Sequence, residues 1–320
     1  MVKKNSTSLA VEDHRSAKEI ARAKRIQQLK QDKYIYLMLL PAMALVLVFN
    51  YVPMYGLIMA FQDFSIFDGF LGSEFVGLEN FKKIFTQPRF STAILNTLKV
   101  SLLDTLICFP APIILALLLN ELKNGIFKKS VQTISYLPHF LSWISVVGIV
   151  NMVFGHDGLV NDLRVLMGAE ARIAYLAKQN LFLVFILGTT LWKEVGWGTV
   201  IHLANLSSIN PDLYEAASID GATRLQKIRF ITLPHMVPTV MILLIFKMGS
   251  IFQSNFELVW GLQNPYIEFD VISTIVYETG IQNGNYSMGT AMGLAQGLVA
   301  LILVLITNRV SKRVSGSGIL

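Results

Sequence analysis

The sequence predicts an all-α integral membrane protein with six transmembrane helices. Its 320 residues have a mean hydropathy of +0.53, and only 15% are charged, against roughly 25% in soluble domains. The apolar residues form six runs, each long enough to cross a bilayer core as a helix. A soluble domain would have too few other residues to cover them. The runs are Tyr34–Phe61, Ala93–Leu119, Ile134–Phe154, Leu181–Leu206, Met236–Phe252 and Met288–Thr307.

The tails and loops between these runs differ in basic residues. Lys and Arg collect on the cytoplasmic side of membrane proteins, and alternate loops and tails place 18 of them on one side and six on the other. We therefore expect a cytoplasmic tail over 1–33, a six-span transmembrane domain over 34–308 and a cytoplasmic tail over 309–320. The net charge of +6 follows from this asymmetry and requires no nucleic acid partner. Residues 16–29 are either a weak amphipathic helix on the membrane or part of a disordered tail.

The spans and outer loops carry further local signals. Pro41 and Pro53 predict tilt or a bend in the first span. The stretches "FVGLENFKKIF" and "LVNDLRVLM" have the apolar spacing of short helices on the outer side. In the last span, Gly289, Gly293 and Gly297 share one face. Such a stripe favours close helix packing, with a pore-lining role as the alternative.

The sequence lacks the motifs of an ATPase, a metalloenzyme or a hydrolase. It contains no G-x-x-x-x-G-K-[ST] and no Gly-Lys pair, so the phosphate-binding P-loop is missing. Its five histidines are scattered and lack metal-ligand spacing. We therefore predict no catalytic residue, no metal site and no cofactor in this chain.

Ionisable residues occur inside the predicted spans, where they are costly and usually face the bundle interior or a water-filled cavity. They could line a polar translocation route, with nearby tryptophans offering flat faces to a substrate. The alternative is structural pairing, such as Glu194 with Lys247 or Asp104 with Lys193, while Lys99 is near enough to the outer end to reach water. The candidate substrate-pathway residues are Trp192, Lys193, Glu194, Trp197, Lys247 and Gln253.

The loop between the fourth and fifth spans reads "YEAASIDGATRLQKIRFITLP" from Tyr214 to Pro234. Asn210 and Pro211 are typical of a helix start, and Asp212 suits the positive end of the helix dipole. The helix that follows is rich in alanine, and Gly221 either breaks it or allows a very close approach. A second helical piece covers 223–230. Small side chains on an exposed cytoplasmic helix predict a docking surface for a partner.

This loop resembles the EAA loop of binding-protein-dependent ABC importer permeases. The resemblance rests on Glu215-Ala216-Ala217, Asp220-Gly221-Ala222, Phe230 and Leu233-Pro234, at the family's spacing before the penultimate span. The stretches "YGLIMAFQDF", "SYLPHFLSWI" and "LWKEVGWGT" resemble the carbohydrate branch of that family, and more narrowly its permeases for complex oligosaccharides.

The resemblance implies a type I ABC importer permease fold, similar to the maltose permeases, with residues 207–234 as the coupling loop. It also implies a bacterial cytoplasmic membrane, a second homologous permease, two cytosolic ATPase subunits and an extracytoplasmic sugar-binding protein. ATP and Mg would then bind the ATPase subunits, and this chain would not be an enzyme itself. The implied ATPase-coupling residues are Leu213, Glu215, Ala216, Ala217, Asp220, Gly221, Ala222 and Arg224.

Two other functions stay open from the sequence. A membrane scaffold or sensor could use the same helix to recruit a cytosolic partner. A stand-alone secondary transporter would usually show internal repeats, which are not found. If the chain is an importer, Lys193 and Lys247 at mid-depth suggest an acidic cargo, such as a uronate-containing oligosaccharide.

Overall fold

The computed structural model describes residues 32–123, 125–250 and 255–315. The chain divides into two compact units, Met1–Leu57 and Ile58–Leu320. The amphipathic helix predicted within the N-terminal tail lies outside the described residues.

The first span is a helix of changing type. Helix α1, Lys33–Val46, continues as a π-helical turn over Leu47–Tyr51 and a 3-10 helix over Val52–Phe61. Pro53 has no N–H, and its ring crowds the carbonyl four residues earlier. Loss of regular α geometry just before this proline is therefore expected. The sequence predicted tilt or a bend here, and the structure shows a change of helix type.

Short elements on the predicted outer side follow the first span. They are β1 (Gln62–Asp63), α2 (Gly69–Gly72), β2 (Glu74–Phe75) and α3 (Glu79–Thr86). The strands pair antiparallel, with Gln62 opposite Phe75. Helix α3 confirms the amphipathic helix predicted in "FVGLENFKKIF", because Ile84 is fully buried while Lys83 faces solvent.

The second span contains a widened turn at its middle. Helix α4, Pro88–Leu103, passes into a π-helical turn over Asp104–Cys108 and then into α5, Pro110–Glu121. The missing N–H of Pro110 ends the π turn. π turns inside helices often mark functional positions, and this one begins at an acidic residue.

The third predicted span, Ile134–Phe154, is not one helix. Helix α6, Ile126–Tyr136, gives way to a 3-10 turn over Leu137–Phe140, and α7, Trp143–Phe154, begins after it. Pro138 lies in the turn, and Ser142 caps α7 by accepting a hydrogen bond from the Ser145 amide at 3.2 Å. The sequence analysis did not predict this break, because hydropathy gives no information on helix caps.

The fourth span is an unbroken helix of 28 residues. Helix α8, Leu159–Leu166, lies between α7 and this span and confirms the helix predicted in "LVNDLRVLM". A short 3-10 turn, Tyr175–Ala177, leads into the fourth span, α9, Gln179–Leu206. Beyond it come α10 (Pro211–Ile219), α11 (Arg224–Lys227), a π turn (Ile228–Thr232) and α12 (Leu233–Gly249).

The segment before the last span is a folded structure. It contains α13 (Phe256–Leu262), α14 (Ile272–Tyr277) and a π turn (Glu278–Gln282), followed by α15 (Tyr286–Ser315). Leu258, Val259 and Val271 are fully buried. The sequence treated this segment as an outer loop and did not predict these helices.

Within the described residues, six helical segments are long and apolar enough to cross a membrane, and some of them consist of consecutive helices. This number agrees with the prediction. The bounds of the segments are Lys33–Phe61, Pro88–Glu121, Trp143–Leu166, Gln179–Leu206, Arg224–Gly249 and Tyr286–Arg313. In the last helix, a Cβ on Gly289 would lie 2.6 Å from the Gly280 Cα, whereas Gly293 and Gly297 have open space beside them. Of these three glycines, only Gly289 therefore needs to be glycine for close packing.

Candidate functional site

A polar cavity of about 410 Å³ lies between the second, fourth and fifth spans and the start of α13. Asp104 begins the π turn of the second span, Glu194 lies near the middle of α9, and Lys247 lies near the end of α12. The described lining residues are Val100, Ser101, Asp104, Trp143, Ile186, Leu187, Thr190, Glu194, Lys247, Ser250 and Asn255. Hydroxyl, amide, carboxylate and ammonium groups thus share a cavity with one indole ring.

The charge from the fifth span is paired across this cavity. The Lys247 ammonium contacts the Asp104 carboxylate, with side-chain exposures of 31% and 17%. Both groups therefore keep a partner although they are largely out of water. Beside them, the Asn255 amide donates to the Thr190 hydroxyl at 3.2 Å.

The other lysine at mid-depth does not line the cavity. Lys193 is 5% exposed, and its ammonium donates to the His139 carbonyl at 2.8 Å and contacts Glu194 at 3.3 Å. It also lies 4.8 Å from the centre of the Trp143 ring. A cation at the end of a broken helix stabilises carbonyls that have lost their helical partners. Lys193 therefore stabilises the break in the third span.

Glu194 links this buried cation to the cavity. Its second oxygen lies 2.9 Å from His139 Nδ1, so both carboxylate oxygens have partners. From the sequence, the suggested pairs were Glu194 with Lys247 and Asp104 with Lys193. In the structure, Lys247 pairs with Asp104 and Lys193 pairs with Glu194. These charges are thus paired with one another, as the structural alternative predicted, but with different partners.

The two tryptophans proposed for the pathway lie elsewhere. Trp197 stacks on His139, with ring centres 4.6 Å apart and planes 2° from parallel. Trp192 lines apolar cavities beside α6 and α7. Gln253 lies outside the described residues. Sequence reasoning missed Trp143, Thr190 and Asn255, since the neighbourhood of each depends on where the broken helices end.

A larger cavity, of about 740 Å³, lies on the predicted outer side. At its edge, Arg89 at the start of α4 bonds Asp270 at 2.7 Å and holds Glu278 through two contacts of 2.5 and 3.0 Å. Asn96 also donates to the Asp270 carbonyl at 2.9 Å. These bonds thus attach the segment between the fifth and sixth spans to α4, the first helix of the second span.

The loop after the fourth span begins with the predicted helix cap. The Asn210 side chain accepts from the Asp212 amide at 3.1 Å, and Pro211 occupies the first helical position of α10. Asp212 lies in the first turn, where the helix dipole favours negative charge. The predicted start of this helix is confirmed.

Helix α10 ends through a Schellman motif at Gly221. The Ala222 amide donates to the Ala217 carbonyl at 2.8 Å, and the Gly221 amide donates to the Ser218 carbonyl at 3.1 Å. Gly221 has φ +76°, and a Cβ there would meet nothing within 4 Å. Glycine is therefore favoured by the left-handed backbone conformation, and the space beside it is open to a partner.

The loop is attached to the spans through Tyr214 and α11. The Tyr214 hydroxyl bonds Thr232 at 2.9 Å, and its ring packs on a core cluster that includes Leu206 and Met236. Thr223 and Gln226 form a capping box at the start of α11. The described contacts thus join α10 to the ends of the fourth and fifth spans.

The residues predicted to couple to an ATPase form a largely exposed surface. Ala217 and Ala222 are half-buried, while the other six are exposed: Leu213, Glu215, Ala216, Asp220, Gly221 and Arg224. Ile219, at 87% exposure, and Leu225, at 75%, were missed. They add apolar area to the same segment, and apolar residues at exposed helix positions were the signal that could have found them.

Comparison with known proteins decides the family. The model of the binding-protein-dependent transport system inner membrane component family matches residues 108–316. The chain belongs to this family. It is therefore the membrane-spanning permease component of a binding-protein-dependent transport system. The predicted family is confirmed, and membership agrees with the prediction that the chain is not itself an enzyme.

Two relatives of this permease come from Bacillus subtilis (strain 168). The polygalacturonan/rhamnogalacturonan transport system permease protein YteP is 43% identical over 277 residues, covering 86% of each chain. Protein LplB is 42% identical over 266 residues, covering 82% of this chain and 83% of its own length. These matches give no support to the scaffold alternative.

Solved structures confirm the permease fold. A chain of a bacterial ABC transporter involved in the import of the acidic polysaccharide alginate is 40% identical, with a TM-score of 0.82, covering 91% of this chain and 99% of that one. A chain of a bacterial alginate ABC transporter in complex with an alginate pentasaccharide-bound periplasmic protein has a TM-score of 0.83 at 40% identity, covering 92% and 99%. The six-span permease fold is therefore a property of this chain.

Proposed function

We propose that this permease is one of two membrane subunits of an ATP-driven importer for acidic oligosaccharides. A second permease, two cytosolic ATPase subunits that bind ATP and Mg, and an extracytoplasmic binding protein complete the importer. Both termini and the loop 207–234 lie in the cytoplasm of a bacterial cell, as the basic residues predict. The binding protein is supported by the alginate transporter, whose structure includes a periplasmic protein carrying an alginate pentasaccharide.

The observation that carries the coupling role is the geometry of α10. Its exposed face offers Leu213 and Ile219 beside the open space at Gly221, while Tyr214 anchors the opposite face to the spans. A partner that docks on the exposed face would therefore move the ends of the fourth and fifth spans. A connecting loop without a partner would gain nothing from exposing this apolar area.

The acidic cargo is supported by the relatives rather than by free lysines. YteP is named for polygalacturonan and rhamnogalacturonan, and the structural relative imports alginate, an acidic polysaccharide. In this chain Lys193 is buried and Lys247 is paired, so the charge argument from the sequence does not stand in its original form. The cavity still offers hydroxyl and amide groups and the Trp143 ring, which suit a saccharide.

Two matched glycine variants test the coupling role. Gly221→Leu places a bulky side chain on the proposed docking face, whereas Gly168→Leu makes the same change at another helix end. Gly168 has φ +94°, the same pair of Schellman hydrogen bonds and nothing within 4 Å of a Cβ. The backbone strain of the two variants is therefore comparable, at about 1–2 kcal/mol each.

Uptake is measured with labelled oligogalacturonate in cells that carry the permease with its own partner subunits. We expect Gly221→Leu to abolish uptake and to lose the ATPase subunits on purification, at normal abundance in the membrane. Gly168→Leu should transport normally. Equal uptake by the two variants would refute docking at α10, and failure of the unmodified importer to take up any uronate oligosaccharide would refute the cargo.

A further inference from the structure

The charges on the cavity wall do not leave a cation free for an acidic cargo. Among the described lining residues, the charged groups are Asp104, Glu194 and Lys247. Lys193 lies behind Glu194 and has its own contacts. The proposed acidic cargo would therefore meet two carboxylates and one ammonium that already has a partner. Like charges repel strongly where water is scarce, so the cargo needs a way to reach a cation.

The two carboxylates differ in how firmly they are held. Glu194 has a partner for each oxygen, namely Lys193 and His139. Asp104 contacts Lys247 through one oxygen, and its other oxygen accepts no hydrogen bond from a described residue. A carboxylate can accept several hydrogen bonds, so Asp104 is the less satisfied of the two.

Lys247 is also the accessible partner of its pair. Both side chains line the cavity, and that of Lys247 is 31% exposed, while that of Asp104 is 17% exposed. A carboxylate arriving through the cavity can therefore approach the ammonium without first moving the helix that carries Asp104. Asp104 also begins a π turn, where the chain has left the regular α-helical hydrogen-bond pattern.

We propose that Asp104 is the resident counter-ion of Lys247 and gives way to a carboxylate of the cargo. In the empty cavity, Asp104 removes the cost of an unpaired ammonium at mid-depth. A cargo carboxylate exchanges one ion pair for another, whereas a neutral sugar offers only hydroxyl groups and leaves the resident pair intact. Asp104 and Lys247 together thus determine specificity for acidic over neutral oligosaccharides. This inference rests on the proposed acidic cargo.

The test uses the assembled importer, purified through this chain and placed in lipid nanodiscs without the binding protein. Calorimetric titration compares oligogalacturonate with its methyl ester, which has the same length and no charge. For Asp104→Asn we expect about tenfold tighter binding of the acid and unchanged binding of the ester. For Lys247→Met we expect the acid to bind no better than the ester.

A double variant and a control keep the inference testable if a single variant fails to fold. Asp104→Asn with Lys247→Met leaves no unpaired charge at the pair and should fold, without preference for the acid. Lys99→Met, an exposed change on the same span as Asp104, should bind like the unmodified importer. Acid preference that survives in the double variant would overturn the inference, as would acid binding that is not tightened by a folded Asp104→Asn. If the unmodified importer prefers the ester, the proposed cargo is wrong.

Discussion

Gly196 provides the sharpest test of the packing around the broken span. A Cβ at this position would overlap the carbonyl of Ser135 and lie 2.8 Å from the Tyr136 amide nitrogen. Both atoms belong to the backbone at the end of α6, so no side-chain rotation can relieve the contact. Gly196→Ala must therefore push α9 and α6 apart.

The size of the effect follows from two opposing terms. The Cβ would lie 2.2 Å from the Ser135 carbonyl carbon. Carbon atoms pack at about 3.5–4.0 Å, so the helices would have to separate by roughly 1.5 Å. Overpacking of this kind costs about 1–3 kcal/mol, and a backbone clash belongs near the upper end. Alanine gains about 1 kcal/mol over glycine inside a helix. The net loss of stability should be about 2 kcal/mol, or a fall of about 5 °C in the unfolding midpoint.

A glycine on the same helix supplies the control. Gly188 also lies within α9, and a Cβ there would meet nothing within 4 Å. Gly188→Ala should therefore be neutral or stabilising by up to about 1 kcal/mol. Thermal unfolding of the purified permease in one detergent measures both variants. Equal midpoints for Gly196→Ala and Gly188→Ala would show that the close approach of α6 and α9 is absent.

Two further substitutions test single contacts. Asn161 is fully buried, and its side chain bonds both the carbonyl and the amide of Ile173, at 2.8 and 2.9 Å. Asn161→Ala should cost about 3 kcal/mol of stability, because it leaves buried backbone groups unpaired. A lower unfolding midpoint and faster proteolysis between the third and fourth spans would show this loss. Tyr214→Phe keeps the ring but loses the hydrogen bond to Thr232, which contributes about 1 kcal/mol to stability. The variant should reach the membrane in normal amount but import less cargo per ATP hydrolysed. An unchanged ratio would contradict coupling through this contact.

The sequence predicts well where one local signal decides the structure. Span number follows from hydropathy and length, and the start of α10 follows from Asn210 and Pro211. Gly221 marked the end of the same helix, although the sequence left open whether conformation or close approach required it. Gly221 has a positive φ, and a Cβ there would meet nothing within 4 Å. Within this chain, backbone conformation therefore favours glycine here, and close packing does not. Each of these features depends on a few neighbouring residues.

The polar cavity was harder to predict because its members come from distant segments. The intramembrane charges were recognised as unusual, but their pairing depends on helix rotation and on the break at Leu137–Phe140. Trp192 and Trp197 were predicted to offer flat faces to a substrate beside Lys193 and Glu194. On a helix, neighbours point about 100° apart, and these rings face other surroundings. Proximity in sequence was therefore a poor guide to the cavity wall.

The unbroken α9 connects the cavity to residues 207–234, the proposed coupling loop. It carries Thr190 and Glu194 on the cavity wall, and its last residue, Leu206, packs in the cluster that holds Tyr214. At about 1.5 Å per residue, Glu194 and Leu206 are roughly 18 Å apart along the helix. The second and fifth spans contain π turns, whereas α9 has no such turn along its length. A movement of α10 would therefore reach Glu194 along one continuous helix, whereas Asp104 and Lys247 lie on spans whose α-helical pattern is interrupted.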